Sequence, residues 1–342
     1  MKLLVVTQTI DKNDPALGFF HQWIEEFSKK FESITVIALN VGEHSLPQNV
    51  TVHSLGKSEG KGRITRGVRF WKLLFSLRAK YDVVFCHMNP EYMIAGGLLW
   101  RLLGKKTALW YMHGVVSPRL HLAVFLADRV LTGSKESCRI ESNKVQVLGH
   151  GIDVDVFSPG EVAQEPLSLI SVGRLSPSKR VETFLSVCEM LSQKGITYRA
   201  RVIGGPATKG DEVYAETLRV RAEKLPSVLF LGPVPHHELP DFFRDSHLCI
   251  SASTTGSLDK VMLEAMASGV IPITSNRAFE RALSSQGLYV SAGPEEFFDI
   301  LVSLWNDAPR RKQLRTALRN EVVSKHSLRS LVEKIYSTYE HI

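Results

Sequence analysis

Short runs of aliphatic and β-branched residues alternate with helix-length amphipathic patterns along the whole chain, and the rhythm starts over once. In the first half the apolar runs are residues 3–9, 34–39, 50–55, 82–87, 107–112 and 129–132, with helical patterns at 19–31, 70–80 and 92–103. The runs are continuously apolar rather than alternating. That is the pattern of strands covered by helices on both faces, and it predicts a parallel, doubly wound α/β sheet. After Pro159 the same alternation resumes, with runs at 167–172, 198–203, 228–231, 248–251 and 270–273 and helical patterns at 183–193, 212–223, 237–243 and 261–268. At 342 residues the chain is about twice the usual domain size. Two Rossmann-like domains are therefore expected, 1–158 and 159–325, joined through the glycine-containing polar segment 149–165. Residues 310–342 read as helical to the end, and 326–342 are placed to pack back on the first domain.

Ordinary apolar (44%) and charged (23%) fractions exclude disorder, collagen and coiled coil as the main architecture. The longest apolar stretch, 93–100, is far short of the roughly 18 residues a membrane span needs. Residues 1–6 meet Thr7, Gln8, Thr9 and Asp11 too soon for a targeting segment and read as a first strand. Cys86, Cys138, Cys188 and Cys249 form no C-x-x-C pair, so they are expected as small core residues in a reducing cytoplasm.

Of the net charge of +7, residues up to Ser158 carry +6, with 20 lysines and arginines against 14 acids. An anionic membrane surface, nucleic acid, an acidic substrate or simply a soluble basic surface would each account for it. The basic excess concentrates between Lys57 and Lys80, where eight cations face Glu59 alone and are interleaved with Phe70, Trp71, Leu73, Leu74, Phe75 and Leu77. As a helix, this segment puts Arg69, Lys72 and Lys80 on one flank. Gly67 is a candidate helix start, and much of the apolar arc is expected to cover the sheet. An ordinary packed helix with a basic outer edge fits equally well.

Ligands of doubly wound sheets bind beyond the carboxyl ends of the strands, so the loops after strands are where chemistry is expected. In Ser171-Val172-Gly173-Arg174-Leu175-Ser176-Pro177-Ser178-Lys179, Gly173 lets the chain turn at the strand end, and Arg174 and Lys179 bracket the loop. A planar guanidinium fork and an ammonium suit a diphosphate, although two solvated surface cations look the same in sequence. The second loop runs from Ser253 through Gly256, Ser257, Leu258 and Asp259 into a helix ending at Gly269, and its N–H groups suit an anion. Glu264 sits among Val261, Met262, Leu263, Ala265 and Met266. A buried carboxylate there needs a partner: a pair of sugar hydroxyls, a lysine or a backbone amide.

Gly173-Arg174-Leu175 with Lys179, and Leu263-Glu264-Ala265-Met266-Ala267 with Gly269, resemble the retaining glycosyltransferases of family 4, also called group 1, which have the GT-B fold. Gly149-His150-Gly151-Ile152-Asp153 with Phe157-Ser158-Pro159 looks like that family's interdomain segment. Ile203-Gly204-Gly205-Pro206 and Leu231-Gly232-Pro233-Val234-Pro235 look like two later substrate-side loops, which brings in Gly204 and Val234. The resemblance implies that two domains face each other across a cleft, that Arg174 and Lys179 grip the donor diphosphate, and that Glu264 takes the ribose hydroxyls. It also implies that His113 faces the donor sugar and that Gly18 lies in the first, acceptor-side loop. One departure stands out. The family has a second glutamate eight positions before Glu264, and this chain has Gly256 there. Contact with the transferred sugar then falls to the backbone around Gly256, Ser257 and Leu258, or to Asp259.

The implied activity is transfer of a hexose-type sugar from a nucleotide diphosphate sugar to an acceptor hydroxyl, with retention, in glycan, polysaccharide or glycolipid assembly. The nucleotide sugar is a co-substrate and no further cofactor is implied. Asp153-Val154-Asp155 imitates a metal-binding D-x-D but lies in the interdomain segment. His236-His237 lacks zinc-ligand spacing, so no metal site is expected. The expected partners are the donor, a glycan or lipid-linked acceptor and an anionic membrane surface, without nucleic acid. The expected place is the cytoplasm, at the inner face of the membrane. The rivals are a non-catalytic nucleotide-sugar-binding protein and a GT-B sugar-nucleotide epimerase.

Overall fold

A computed structural model describes residues 1–14, 16–161, 165–291 and 293–342. The chain forms two compact units: Met1–Gly151 with Pro235–His237 and Ser327–Ile342, and Ile152–Val234 with Glu238–His326. The division falls at Gly151, seven residues before the expected Ser158, because Ile152 and Phe157 are buried in the second core and the Phe157 ring meets Phe243 edge-on at 6.1 Å. Of the expected linker 149–165, residues 162–164 lie outside the described residues.

The first unit runs β1 (Lys2–Ile10), α1 (Phe19–Ser28), β2 (Ser33–Val41), β3 (Val50–Ser54), α2 (Arg63–Ser76), β4 (Val83–His87), α3 (Pro90–Leu102), β5 (Lys106–Trp110), α4 (Pro118–Leu126), β6 (Arg129–Thr132) and β7 (Val145–Val147). Its strands pair in parallel in the order β3-β2-β1-β4-β5-β6-β7. Both faces are covered, as the continuous apolar runs require. Phe70 and Leu74 of α2, Met93 and Trp100 of α3, and Leu120 of α4 pack with Leu4, Val6, Val84 and Leu109 on one side. On α1, Phe27 meets Phe85 at 5.4 Å and Trp23 meets Trp110 at 5.0 Å. Each such side chain, fully buried, contributes about 1.5–3 kcal/mol.

The second unit runs β8 (Leu167–Val172), α5 (Val181–Gln193), β9 (Tyr198–Ile203), α6 (Lys209–Ala222), β10 (Val228–Gly232), α7 (Leu239–Arg244), β11 (Leu248–Ser251), α8 (Lys260–Ala267), β12 (Ile271–Thr274), α9 (Glu280–Leu283), α10 (Pro294–Trp305) and α11 (Ala308–His326). Its sheet is also parallel, in the order β10-β9-β8-β11-β12. The helix expected to run unbroken to the end is interrupted at Ser327, whose side chain leaves the helix and accepts from Ser330 N–H as an N-cap. The following helix, α12 (Leu328–Glu340), belongs to the first unit. Tyr339 is fully buried there and donates through its hydroxyl to Val84 O at 2.8 Å, and Lys106 Nζ donates to Tyr339 O at 2.9 Å.

One further expectation is corrected. Helix α2 starts at Arg63, not at Gly67. Gly67 lies inside it, solvent-exposed, with open space around its Cα. As expected, much of the apolar arc does cover the sheet, with Leu77 buried and Leu73 packed on the same core. Phe70 and Leu74 are buried there too, whereas Ile64, Val68, Trp71 and Phe75 are exposed. All four cysteines are free and buried, as expected.

Candidate active site

In each sheet the strand order reverses at one point, between β1 and β4 in the first unit and between β8 and β11 in the second. The crevice beyond the strand ends at such a point is the preferred ligand position. Among the described residues the two non-glycine positions with positive φ are Met88 (φ 69°), directly after β4, and Arg180 (φ 48°), in the loop after β8. Each conformation costs on the order of 1–3 kcal/mol and persists only where surrounding structure enforces it. Both lie in loops that follow the strands flanking the two switch points.

In the second unit, Gly173, Arg174 and Lys179 follow β8, Gly204 follows β9, and Gly256, Ser257 and Leu258 follow β11. Gly173 N–H donates to Ile203 O at 2.9 Å, Leu175 N–H to Gly205 O at 2.9 Å and Gly204 N–H to Gly232 O at 2.8 Å, so the ladder continues past the strand ends. Gly204 (φ 133°) has no room for a side chain: a Cβ there would lie 1.8 Å from Gly173 O. Thr254 N–H donates to Ser178 O at 2.9 Å and ties the β11 loop to the β8 loop. Gly256 has φ 66°, and Asn276 Nδ2 donates to Ser257 O at 3.0 Å. Leu258 and Val234 pack on the apolar core, leaving their backbones as the polar part.

Arg174 is exposed. Lys179 is mostly shielded and its Nζ lies 2.5 Å from Asp259 Oδ2, the residue just before α8. Glu264 is 1% exposed and its carboxylate accepts from Lys260 Nζ one turn earlier. Burial pushes the Lys260 ammonium below its usual pKa, against the opposite pull of Glu264, and its Nζ also lies 5.8 Å from the centre of the Phe157 ring. Of the expected partners of Glu264, the lysine is realised here. The sequence offered Asp259 only as a sugar contact and an unnamed lysine as a partner of Glu264; the Asp259–Lys179 pair and the identity of Lys260 as that lysine come from the structure. The i to i+4 spacing of Lys260 and Glu264 was the available clue.

In the first unit, Gly18 and His113 sit in the loops after β1 and β5 respectively, and His113 is exposed with its ring 5.5 Å from Tyr111. Gly18 is required by backbone packing, since a Cβ would come within 2.6 Å of Asp14 O and 2.9 Å of Lys12 O. It borders a cavity of about 500 Å³ lined also by Lys12, Asn13, His21, Glu25 and Glu43.

The end of β4 carries His87, which sequence reasoning missed. It is 1% exposed, stacked on Phe20 at 3.7 Å, with Nδ1 3.1 Å from Thr7 Oγ1. Burial, reinforced by the neighbouring His150 and His113, lowers its pKa from 6.5 to about 3. The folded state therefore holds it neutral while the unfolded chain takes up a proton. Its contribution to stability is complete above about pH 6.5 and is lost as pH falls towards 3, at about 1.4 kcal/mol per pH unit. Urea unfolding from pH 7 to 4 should show this slope, reduced by about one proton in His87→Gln. The slope left by His21 and His53, both also lowered mainly by burial, should remain.

Asp153, of the D-x-D look-alike, accepts through Oδ1 from the N–H groups of Asp155 (3.2 Å) and Val156 (3.1 Å), a local turn. Among the described residues no group of three or more His, Cys, Asp or Glu is placed to hold a metal ion.

Residues 166–307 match the family model described as Glycosyl transferases group 1. That matched segment, less than half of the chain, is similar to the group 1 glycosyl transferases. Among the relatives of the chain, a D-inositol 3-phosphate glycosyltransferase of Kribbella flavida is 26% identical over 218 residues, covering 56% of this chain and 51% of that protein. A putative colanic acid biosynthesis glycosyltransferase, WcaL of Escherichia coli, is 31% identical over 144 residues, 39% of this chain and 34% of that protein. The chain thus spans about half, or less, of the relatives it matches. The crystal structure of Anabaena Alr3699/HepE in complex with UDP superposes with a TM-score of 0.79 at 16% identity, over the full length of both chains. A sucrose-phosphate synthase from Thermosynechococcus elongatus superposes at 0.75 and 15%, over 100% of this chain and 99% of that one. The fold of the chain is GT-B.

Proposed function

We propose that the protein is a retaining glycosyltransferase that moves a hexose-type sugar from a nucleotide diphosphate sugar to an acceptor hydroxyl in glycan, polysaccharide or glycolipid assembly. The observation that carries this reading is the pair of cations, Arg174 and Lys179, at the switch point of the second sheet, on a loop braced by Gly204 and Thr254. The barrier is departure of a diphosphate from a carbon that becomes oxocarbenium-like, and fixed positive charge where negative charge develops is the main lever. Arg174 supplies a planar fork, Lys179 an ammonium, and the N–H groups around Gly256, Ser257 and Leu258 the remaining donors. Glu264 takes the ribose hydroxyls once Lys260 yields, and His113 and Gly18 serve the sugar and the acceptor from the first unit. The acceptor attacks from the leaving-group side, with a donor phosphate oxygen taking its proton. With two cations in place, no metal is needed. A thermal-shift panel of nucleotide sugars, followed by transfer assays with and without excess chelator, tests the reading. A shift with at least one nucleotide sugar and chelator-resistant transfer are expected. Strict dependence on added Mn²⁺ or Mg²⁺ would refute the metal-independent mechanism.

The acceptor is lipid-linked, and the first unit meets it at an anionic leaflet. On α2, Ile64, Val68, Trp71 and Phe75 are 85%, 51%, 42% and 52% exposed and follow one another at helical spacing, beside the exposed cations Arg63, Lys72, Arg78 and Lys80. Each cation near an anionic surface is worth about 1 kcal/mol, which gives salt-sensitive peripheral binding. No helix among the described residues is long and apolar enough to cross a membrane. Co-sedimentation with phosphatidylglycerol vesicles is expected at low salt, weakened by high salt and abolished by Trp71→Ser with Phe75→Ser. Absence of binding at low salt would favour a water-soluble acceptor.

A further inference from the structure

The ammonium assigned to the diphosphate already has a carboxylate. Lys179 Nζ lies 2.5 Å from Asp259 Oδ2, with the two side chains 16% and 11% exposed. The pair joins the loop after β8 to the residue that opens α8, eighty positions away in sequence. Arg174, by contrast, is exposed and makes no ion pair among the described residues. The free volume at the floor of the loop, bounded by Gly173, Lys179 and Ser251, is about 10 Å³. That is room for little more than one water, not a phosphate group. An incoming diphosphate therefore meets an anion on the same cation it would bind. Two anions on one shielded ammonium repel each other, and the attraction of either is strengthened by removing the other.

We propose that Asp259 is a place-holder for the diphosphate: it holds Lys179 in the empty site, gives it up to the bound nucleotide, and takes it back when the nucleoside diphosphate leaves. This rests on the reading of Lys179 as a diphosphate ligand. Pairing with Asp259 lowers the fraction of molecules competent to bind, and apparent affinity falls by that fraction. Asp259 thus acts as a positioning residue that favours product release, and it trades affinity for turnover. A merely structural bridge between the loops makes the opposite prediction, because its loss would loosen the site and weaken binding.

The test is calorimetry of the full chain with uridine diphosphate, and with pyrophosphate as the base-free probe. Asp259→Asn should bind pyrophosphate about tenfold more tightly than wild type, by removing the competing state. Its ligand-free unfolding temperature should fall, since a shielded lysine has lost its counter-ion. Asp259→Glu, which restores the charge, should return affinity towards wild type, and Asp259→Ser repeats the test if the asparagine variant folds poorly. Unchanged or weaker binding in Asp259→Asn and Asp259→Ser, with weaker binding in Lys179→Ala, would overturn the place-holder and leave the diphosphate ligand standing. Wild-type affinity in Lys179→Ala would overturn both.

Discussion

Arg174→Ala and Lys179→Ala should each lower the rate of sugar transfer about a hundredfold, on the order of 3 kcal/mol of lost transition-state stabilisation. The two substitutions differ in what else they disturb. Lys179 is shielded and paired, so its removal leaves the shielded Asp259 carboxylate without its ion-pair partner and should also reduce stability. Arg174 is exposed, and its truncation should leave the unfolding temperature within about 1 °C of wild type, as expected for a surface change. Arg174→Ala is accordingly the cleaner probe. A variant that folds and turns over like wild type would remove Arg174 from the site. The two losses should be less than additive if, as proposed, both cations act on the same diphosphate.

Lys260→Met should destabilise the second unit by about 3–5 kcal/mol, the usual effect of removing one member of a buried ion pair. Glu264 is 1% exposed, and its carboxylate faces the Lys260 ammonium on the same helix. The pair runs lysine first, the less favourable order for an i to i+4 contact on a helix, so its strength comes from burial rather than from the helix dipole. Combining Lys260→Met with Glu264→Leu should recover most of the lost stability while abolishing nucleotide binding. Recovery of stability with unchanged affinity for the nucleoside diphosphate would make Glu264 a structural residue only. Urea unfolding and calorimetry on the same samples separate the two outcomes.

The strands were legible wherever a β-branched apolar run was long enough to be buried on both faces. Residues 129–132, 167–172, 198–203 and 248–251 coincide with β6, β8, β9 and β11. The three-residue β7 carries no such run and was missed, as was α4, although Ser117-Pro118 opens it and the Ser117 hydroxyl accepts from Leu120 N–H. The break at Ser327 hides inside an unbroken apolar spacing, because the cap is one hydroxyl and not a change of period.

At the site, glycines directly after buried strands could be read at Gly173 and Gly204. The reason for Gly204, the carbonyl of Gly173 against its Cα, is a contact between two loops. Lys260 and Glu264 share a helix turn, so their pairing was open to view as one of the alternatives. Asp259 and Lys179 meet only because β8 and β11 are neighbours in the sheet, and no spacing in the sequence encodes that.

Transfer of a labelled hexose from UDP-, GDP- and ADP-hexoses into lipid and glycan acceptor extracts, with the anomeric configuration of the product read by NMR, tests the central claim most directly. The account predicts label in an acceptor-dependent product, with the donor's configuration kept and the rate about a hundredfold lower in Arg174→Ala. Nucleotide sugars that bind without any acceptor-dependent product, or label recovered only in an epimerised nucleotide sugar, would contradict it.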